Sequence, residues 1–191
     1  MYDIINYIDC TESQLEEIFI LRNLPEIRKW MTNPEPISWE EHIRFIEILR
    51  HENERRYYAI YKNGDLVATY NLTKEFGTTW ERGIISSPKF QGSGSTVELE
   101  RIVFSKLPVD EFTTILAKVK LENGRSIRYH EKVGYQKINR DKEYIYYQYD
   151  LNMVRKFYSG GGKNLTSQDG ITQMATVIMY ACLQNKMMLC R

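Results

Sequence analysis

A glycine-rich turn, Gln91-Gly92-Ser93-Gly94-Ser95-Thr96, contains the residues of this chain whose types and spacing most directly indicate chemistry. It stands between a stretch rich in β-formers, Thr79 to Ser86, and an apolar pattern of helical spacing that begins at Val97. Backbone N–H groups that converge at the N-terminus of a helix bind anions such as phosphate. The order strand, turn, helix therefore predicts a phosphate-binding turn, although a short glycine motif alone also occurs at ordinary bends.

The elements around this turn follow from capping residues and periodicity. Thr11 with Gln14, and Ser38 with Glu41, form capping boxes that begin two N-terminal helices. Asn63-Gly64 lies between two apolar runs and predicts a type I′ hairpin. Four further elements are a strand over 2–8, a buried strand over 113–121, a short helix over 123–132 and an aromatic strand over 143–151.

Composition limits the partners and the compartment. The chain has 191 residues, with 26 Lys and Arg against 25 Asp and Glu, and a formal net charge of +1. This balance gives no electrostatic drive toward nucleic acid or an anionic membrane. Cys10, Cys182 and Cys190 form no C-x-x-C pair and no even disulfide set, and there is no secretory signal or run of about 20 apolar residues. We expect a soluble, cytoplasmic protein without a metal site and without nucleic-acid or membrane partners.

The domain organisation is predicted from one glycine run. Ser159-Gly160-Gly161-Gly162 indicates a flexible linker over 153–165, after a domain over 1–152. Beyond it, an apolar stripe predicts a helix over 166–191. This helix packs either on its own domain or on a second copy of the chain, which makes a homodimer possible.

Two motifs in order resemble those of the GCN5-related N-acetyltransferase (GNAT) superfamily. The turn from Gln91 to Thr96 is similar to the family's Q/R-x-x-G-x-G/A, and the segment from Asn123 to Tyr135 is similar to its N-x-x-A/S…E-K-x-G-F/Y. The resemblance covers residues 2 to about 152. It implies an α+β fold with a mixed, mostly antiparallel sheet flanked by helices, here with a C-terminal helical appendage, and acetyl-coenzyme A as cofactor.

The resemblance also implies which residues bind the coenzyme. The turn would wrap the pyrophosphate, and the strand before it would bond the pantetheine arm and offer an amide to the oxyanion of a tetrahedral intermediate. Thr96 departs from the family's final Gly or Ala. The implied coenzyme residues are Ile84, Ile85, Ser86, Gln91, Gly92, Ser93, Gly94, Ser95, Thr96, Asn123 and Ser126.

Catalytic roles follow from the same resemblance. His130 stands where many members place a tyrosine general acid, and Tyr129 precedes it; either would protonate the departing thiolate, or solvent would. Glu81 shares one strand face with Gly83 and is the candidate base for direct attack by the amine. Glu75, or an amine that is already neutral, is the alternative.

A narrower resemblance concerns the acceptor. The segment from Arg22 to Met31, with Ser38 to Ile46, is similar to the sugar-nucleotide N-acetyltransferases of pseudaminic acid biosynthesis, and it implies a UDP-linked aminosugar as substrate. Arginines suit a diphosphate, and Trp30 suits a base or sugar face. The implied acceptor residues are Arg22, Asn23, Arg28, Trp30, Met31 and His42. In the alternative interpretation Trp30 and Met31 only fill the core.

Other functions stay open at this point. The acceptor would otherwise be a protein N-terminus or a small amine such as an antibiotic. A third possibility is a catalytically silent module that binds acyl-coenzyme A and acts through its C-terminal helix.

Overall fold

The structure, a computed structural model, describes residues 2–92, 95–108 and 110–152; for Ser95 and Thr96 it describes only the backbone. The predicted linker over 153–165, the helix over 166–191 and the possible dimer contact lie outside the described residues, as do Ser93 and Gly94.

In the described part of the chain, one mixed sheet of seven strands has the order β1-β2-β3-β4-β5-β7-β6. Neighbouring strands pair antiparallel except β4 and β5, which are parallel. The strands are β1 (Tyr2–Asn6), β2 (Arg55–Lys62), β3 (Asp65–Phe76), β4 (Thr79–Ser86), β5 (Thr114–Lys120), β6 (Gln136–Arg140) and β7 (Tyr144–Asp150). The α+β class and the mostly antiparallel sheet are thereby confirmed.

Helices flank the sheet, and their ends are set by the predicted caps. The helices are α1 (Glu12–Asn23), α2 (Pro25–Arg28), α3 (Trp39–Leu49), α4 (Ser95–Lys106) and α5 (Gly124–Val133). Both capping boxes are present, at Thr11 and Ser38. Asn123 caps α5 through its side chain, and Gly134 ends that helix in the left-handed conformation, with φ of 106°. The hairpin is also confirmed, because Asn63 and Gly64 both have positive φ.

The first predicted strand is wrong at its C-terminal end. β1 stops at Asn6, whose side-chain oxygen accepts a hydrogen bond from the Ile8 N–H and caps a 3₁₀ turn over Tyr7–Asp9. Neither α2 nor β6 was predicted. The sequence of β6 carries no alternation because most of its residues are exposed, and its pairing with β7 makes it a strand.

Two apolar clusters lie within the described residues. The larger contains Tyr70, Leu99, Phe112 and Tyr147 and joins α4 and α5 to the sheet. The smaller contains Ile18, Ile46 and other residues of α1, α3, β2 and the first turn. Burial of these side chains fixes both helical layers against the sheet.

The feature of the sheet that matters most for function is the separation of β4 from β5. Their pairing ends at Glu81 and Leu116, although β4 continues to Ser86 and β5 continues to Lys120. Beyond Glu81, β4 therefore pairs with β3 alone among the described strands. An extended ligand can lie against the edge that this separation opens.

Candidate active site

Two adjoining cavities meet where β4 leaves β5. The wide cleft, of about 610 Å³, is lined by α1, α3 and the strands β3, β4 and β5, and includes Glu81 and Asn71. The turn groove, of about 360 Å³, runs past the end of β4, the glycine turn and α5. Ile84, Ile85 and Asn123 line both cavities, so a ligand in one can reach the other.

The turn groove collects much of the predicted coenzyme site. The predicted residues that line it are Ile84, Ile85, Ser86, Gln91, Gly92, Asn123 and Ser126. Gly92 has φ of +83°, a conformation that favours glycine, so the turn depends on this residue. The backbones of Ser95 and Thr96 begin α4 directly after the turn.

The side chains of Gln91 and Asn123 form hydrogen bonds to other residues of the protein. The Gln91 Nε2 donates to the Ser86 carbonyl at 3.1 Å, and its Oε1 accepts from Arg125 Nη1 at 2.5 Å. The Asn123 Oδ1 accepts from the Ser126 N–H at 3.0 Å. These bonds join the turn to β4 and to α5, so the shape of the groove is held by three elements.

Glu81 lies half-buried in the wide cleft. Burial raises the pKa of its carboxyl, Glu75 raises it further, and Lys118 opposes both. Among the described residues Glu81 has no ion-pair partner; its neighbour Arg82 instead pairs with Glu100, with Nε and Oε1 2.9 Å apart. Glu81 is thus a carboxylate with a raised proton affinity that faces a cavity, which suits a base.

Asn71 is a cleft residue that the sequence analysis missed. It lies opposite Gly83 in the β3–β4 pairing, and a Cβ at position 83 would collide with its side-chain oxygen. Gly83 therefore leaves room for a carboxamide two residue pairs from Glu81 along the β3–β4 ladder. The missed signal is period two: Thr69, Asn71 and Thr73 line the cleft and alternate with residues of the core.

His130 is buried, with both ring nitrogens occupied. Arg82 Nη2 lies 2.9 Å from Nε2, and because a guanidinium only donates, Nε2 accepts. The proton is then on Nδ1, 2.6 Å from the carbonyl oxygen of Ser126. Burial, and next Arg82, lower the pKa of His130 to about 3. This geometry does not favour His130 as the proton donor.

Tyr129 lines the turn groove, but its hydroxyl donates to the carboxylate of Glu100. Burial and the nearby Glu100 raise its pKa. Tyr135 donates to the same carboxylate at 2.7 Å. The sequence analysis missed this buried network of Arg82, Glu100 and tyrosines. The sequence signal for this network is a charged residue, Arg82, at a core-facing position of β4.

The predicted acceptor residues divide into two groups. Arg22, Trp30, Met31 and His42 line the wide cleft, whereas Asn23 and Arg28 do not. Trp30 and Met31 are half-buried and line both cavities. Their side chains line cavities, whereas the alternative interpretation placed Trp30 and Met31 only in the core.

Asn23 and Arg28 hold the segment between α2 and α3. Asn23 exchanges two 3.0 Å bonds with the backbone of Ile37, and Arg28 Nη1 donates to the Pro34 carbonyl at 2.6 Å. Arg22 Nη1 also donates to this segment, to the Glu35 carbonyl at 2.6 Å. Part of the arginine chemistry assigned to a diphosphate is thus used by the protein's own carbonyl groups.

His42 and Lys118 are the remaining notable side chains of the wide cleft. His42 packs between Phe19 and Trp39, and its Nε2 has no hydrogen-bond partner among the described residues. Lys118 is exposed, lies 4.0 Å from the ring centre of Tyr144 and has no ion-pair partner in the described ranges. It is a cation that a ligand can reach.

Comparison with known proteins defines the class. The model of the Acetyltransferase (GNAT) domain family matches residues 8–136, so the chain belongs to this family. It is an N-acetyltransferase of the GNAT type, and acetyl-coenzyme A is its acetyl donor. Within the described residues, no group of three or more His, Cys, Asp or Glu side chains is arranged for a metal ion, and no helix is long and apolar enough to cross a bilayer.

Individual proteins and solved structures are also similar to this chain. Acetyltransferase PseH of Campylobacter jejuni is 24% identical over 148 residues, which cover 76% of this chain and 92% of the relative. The crystal structure of Campylobacter jejuni N-acetyltransferase PseH in complex with acetyl coenzyme A matches with a TM-score of 0.63 and 18% identity, over 78% of this chain and 99% of that one. Spermidine N-acetyltransferase from Vibrio cholerae, in complex with CoA and spermine, matches with a TM-score of 0.69 and 17% identity, over 79% and 96%.

Proposed function

We propose that this enzyme acetylates the primary amine of a nucleotide-linked aminosugar, with a UDP-aminosugar as the acceptor. The observation that carries the proposal is the position of Glu81 in a wide cleft that joins the turn groove at the opening of β4. The similarity to PseH, and the cleft position of Trp30 and Met31, support the aminosugar class.

The charges of the cleft support an anionic acceptor. Lys118 has no carboxylate partner in the described part of the chain, and Lys120 and Arg22 line the same cleft. We infer that Lys118 faces the diphosphate, with Arg22 on the opposite wall. A polyamine fits this lining less well, because these three cations outnumber the two carboxylates of the cleft, Glu41 and Glu81.

The chain's residues divide the reaction as follows. Acetyl-coenzyme A supplies an acetyl group activated as a thioester. The turn from Gln91 to Thr96 holds the coenzyme's diphosphate, and the free edge of β4 aligns the acetyl group and donates an N–H to its oxygen. Glu81 accepts a proton from the acceptor's ammonium group and so frees the nitrogen for attack.

Water is the proposed proton source for the departing thiolate. His130 holds its proton in a bond to the Ser126 carbonyl, and loss of the Tyr129 proton would leave an anion beside Glu100. Loss of a proton from His130 or from Tyr129 would leave an anion in a buried site, which is electrostatically costly. We therefore assign His130 and Tyr129 to positioning rather than to acid catalysis.

The test is an acceptor panel. Purified protein and acetyl-coenzyme A are mixed with UDP-aminosugars, the free aminosugars, peptides with free N-termini, an aminoglycoside and spermidine, and thiol release is followed. We expect the highest kcat/KM with a UDP-aminosugar. Turnover confined to peptides or spermidine would contradict the proposed acceptor. Coenzyme binding without turnover of any amine would indicate the silent module instead.

A further inference from the structure

Three cations lie along one face of α5 in the turn groove. Arg125, Arg128 and Lys132 are all exposed and all line this groove. At 100° per residue, positions i, i+3 and i+7 fall within an arc of roughly 60°. The three side chains therefore form one cationic face, which we call the α5 cationic face.

This face has no acidic partner in the part of the chain that the structure describes. Some other surface cations there do pair, Lys89 with Asp65, Arg50 with Glu47 and Lys62 with Glu98, whereas Lys118 in the wide cleft does not. Carboxylates at i+3 or i+4 spacing reduce the repulsion among the cations of a solvated helix. Glu131, three residues after Arg128, stands at such a spacing but forms no ion pair with it within the described residues. Three unpaired like charges beside a ligand groove indicate a site for an anion.

The position of the two arginines identifies which anion fits. Arg125 bonds the Gln91 side chain, so it lies beside the turn that holds the coenzyme's diphosphate. Arg128 folds back along the helix, with Nη1 3.5 Å from where a Cβ would stand on Gly124. Both guanidinium groups thus lie near the first turn of α5, next to the glycine turn.

Coenzyme A carries a second phosphate, a monoester on the 3′ oxygen of its ribose. This group is joined to the diphosphate through the ribose alone, so it must lie close to the glycine turn. We propose that the α5 cationic face binds the 3′-phosphate and makes the enzyme select coenzyme A over its 3′-dephospho form. A guanidinium fork suits a phosphate monoester because it can donate two parallel bonds.

The experiment compares two coenzyme forms by isothermal titration calorimetry. Wild-type protein is titrated with coenzyme A and with 3′-dephospho-coenzyme A, which needs no variant. We expect coenzyme A to bind at least about tenfold more tightly, as for hydrogen bonds to charged groups. Equal affinities would overturn the proposal.

Variants locate the effect. Arg128→Gln and Lys132→Gln should each weaken coenzyme A binding and leave the affinity for the 3′-dephospho form unchanged. Arg101→Gln on α4 is the matched control, since Arg101 is exposed and lines neither cavity. The assignment fails if the α5 variants weaken both forms equally, or if the control loses as much. No acceptor is needed, so the result is independent of the proposed aminosugar substrate.

Discussion

Glu81 stands under two opposing electrostatic effects in the wide cleft. Burial and Glu75 favour its protonated form, and Lys118 favours the carboxylate. A general base combines a high proton affinity with a populated carboxylate form, and these two effects act in those two directions. The residue therefore carries the most direct predictions about activity.

Replacement of Glu81 by Gln tests its role as the base. The amide keeps the shape of the side chain but cannot accept the ammonium proton, so kcat should fall by about a hundredfold or more. Affinity for coenzyme A should stay unchanged, because Glu81 does not line the turn groove. Steady-state kinetics and calorimetry measure the two quantities. Full turnover in this variant would remove Glu81 from the mechanism.

The neighbouring Lys118 should control the pH at which Glu81 works. Activity depends on the ionised carboxylate, so kcat/KM falls as pH drops through its pKa. Lys118→Met removes the cation that lowers this pKa, so the acid limb of the profile should move to higher pH. KM for a UDP-aminosugar should also rise. Lys142→Met serves as a control, since Lys142 is exposed and outside the cleft. A limb that stays in place would show that Lys118 does not act on the base.

Tyr129 offers a test of how the thiolate gains its proton. Tyr129→Phe removes the only acidic group of this side chain, and general acids contribute about 100-fold or more to rate. If water is the donor, kcat should change by only a few-fold, although the melting temperature should fall because Glu100 loses a bond. A loss of a hundredfold in kcat, with coenzyme affinity intact, would identify Tyr129 as the acid.

At the scale of elements, the Arg82–Glu100 pair joins the parts of the protein that line the turn groove. Arg82 is on β4, Glu100 is on α4, and both bond to side chains of α5 or the residues after it. Burial acts against the charge of Arg82, but Glu100 keeps its pKa above the ordinary range. Loss of one partner alone would leave an uncompensated buried charge, so the pair fixes the relative positions of the three elements.

This network should make stability depend on pH through His130. The folded state holds its pKa at about 3, against 6.5 in the unfolded chain, so the unfolded state binds more protons between these values. The contribution of His130 to the free energy of unfolding is therefore fully present above pH 6.5. It decreases as the pH drops, by about 2 kcal/mol near pH 5. Urea unfolding at several pH values measures it. His130→Gln should show a shallower loss; the same slope in both proteins would contradict the assignment.

The elements also show how far sequence reasoning reaches. Both capping boxes, the Asn63-Gly64 hairpin and the bounds of β4 were predicted correctly, because each depends on residues close together in the chain. β6 was missed, because its sequence has no apolar alternation. Its conformation comes from hydrogen bonds to β7, a contact that no local pattern encodes.

At the scale of the whole molecule, residues Met1–Asn152 form one compact unit. The family model lies entirely within it, at residues 8–136. We propose that this unit contains the complete coenzyme and acceptor sites, as the predicted domain boundary implies.

A chain that ends at Asn152 tests this proposal. It should fold and bind acetyl-coenzyme A with nearly the affinity of the full chain, since the described residues that line the two cavities all precede Asn152. Calorimetry measures the affinity, and light scattering on both chains tests whether residues 166–191 support a dimer. Loss of coenzyme binding in a folded fragment would place an essential residue beyond Asn152.

The sequence by itself determined the family, the glycine turn and the position of Glu81 on its strand, because short motifs and period-two alternation are properties of neighbouring residues. Tertiary structure decided the chemistry around them. It separated β4 from β5, paired Arg82 with Glu100 and enclosed His130 so that it stays neutral. It also turned Asn23 and Arg28 inward to hold a loop. These outcomes depend on burial and on contacts between residues that are distant in the sequence. Burial and such contacts set the proton affinities of side chains and occupy their hydrogen-bond donors.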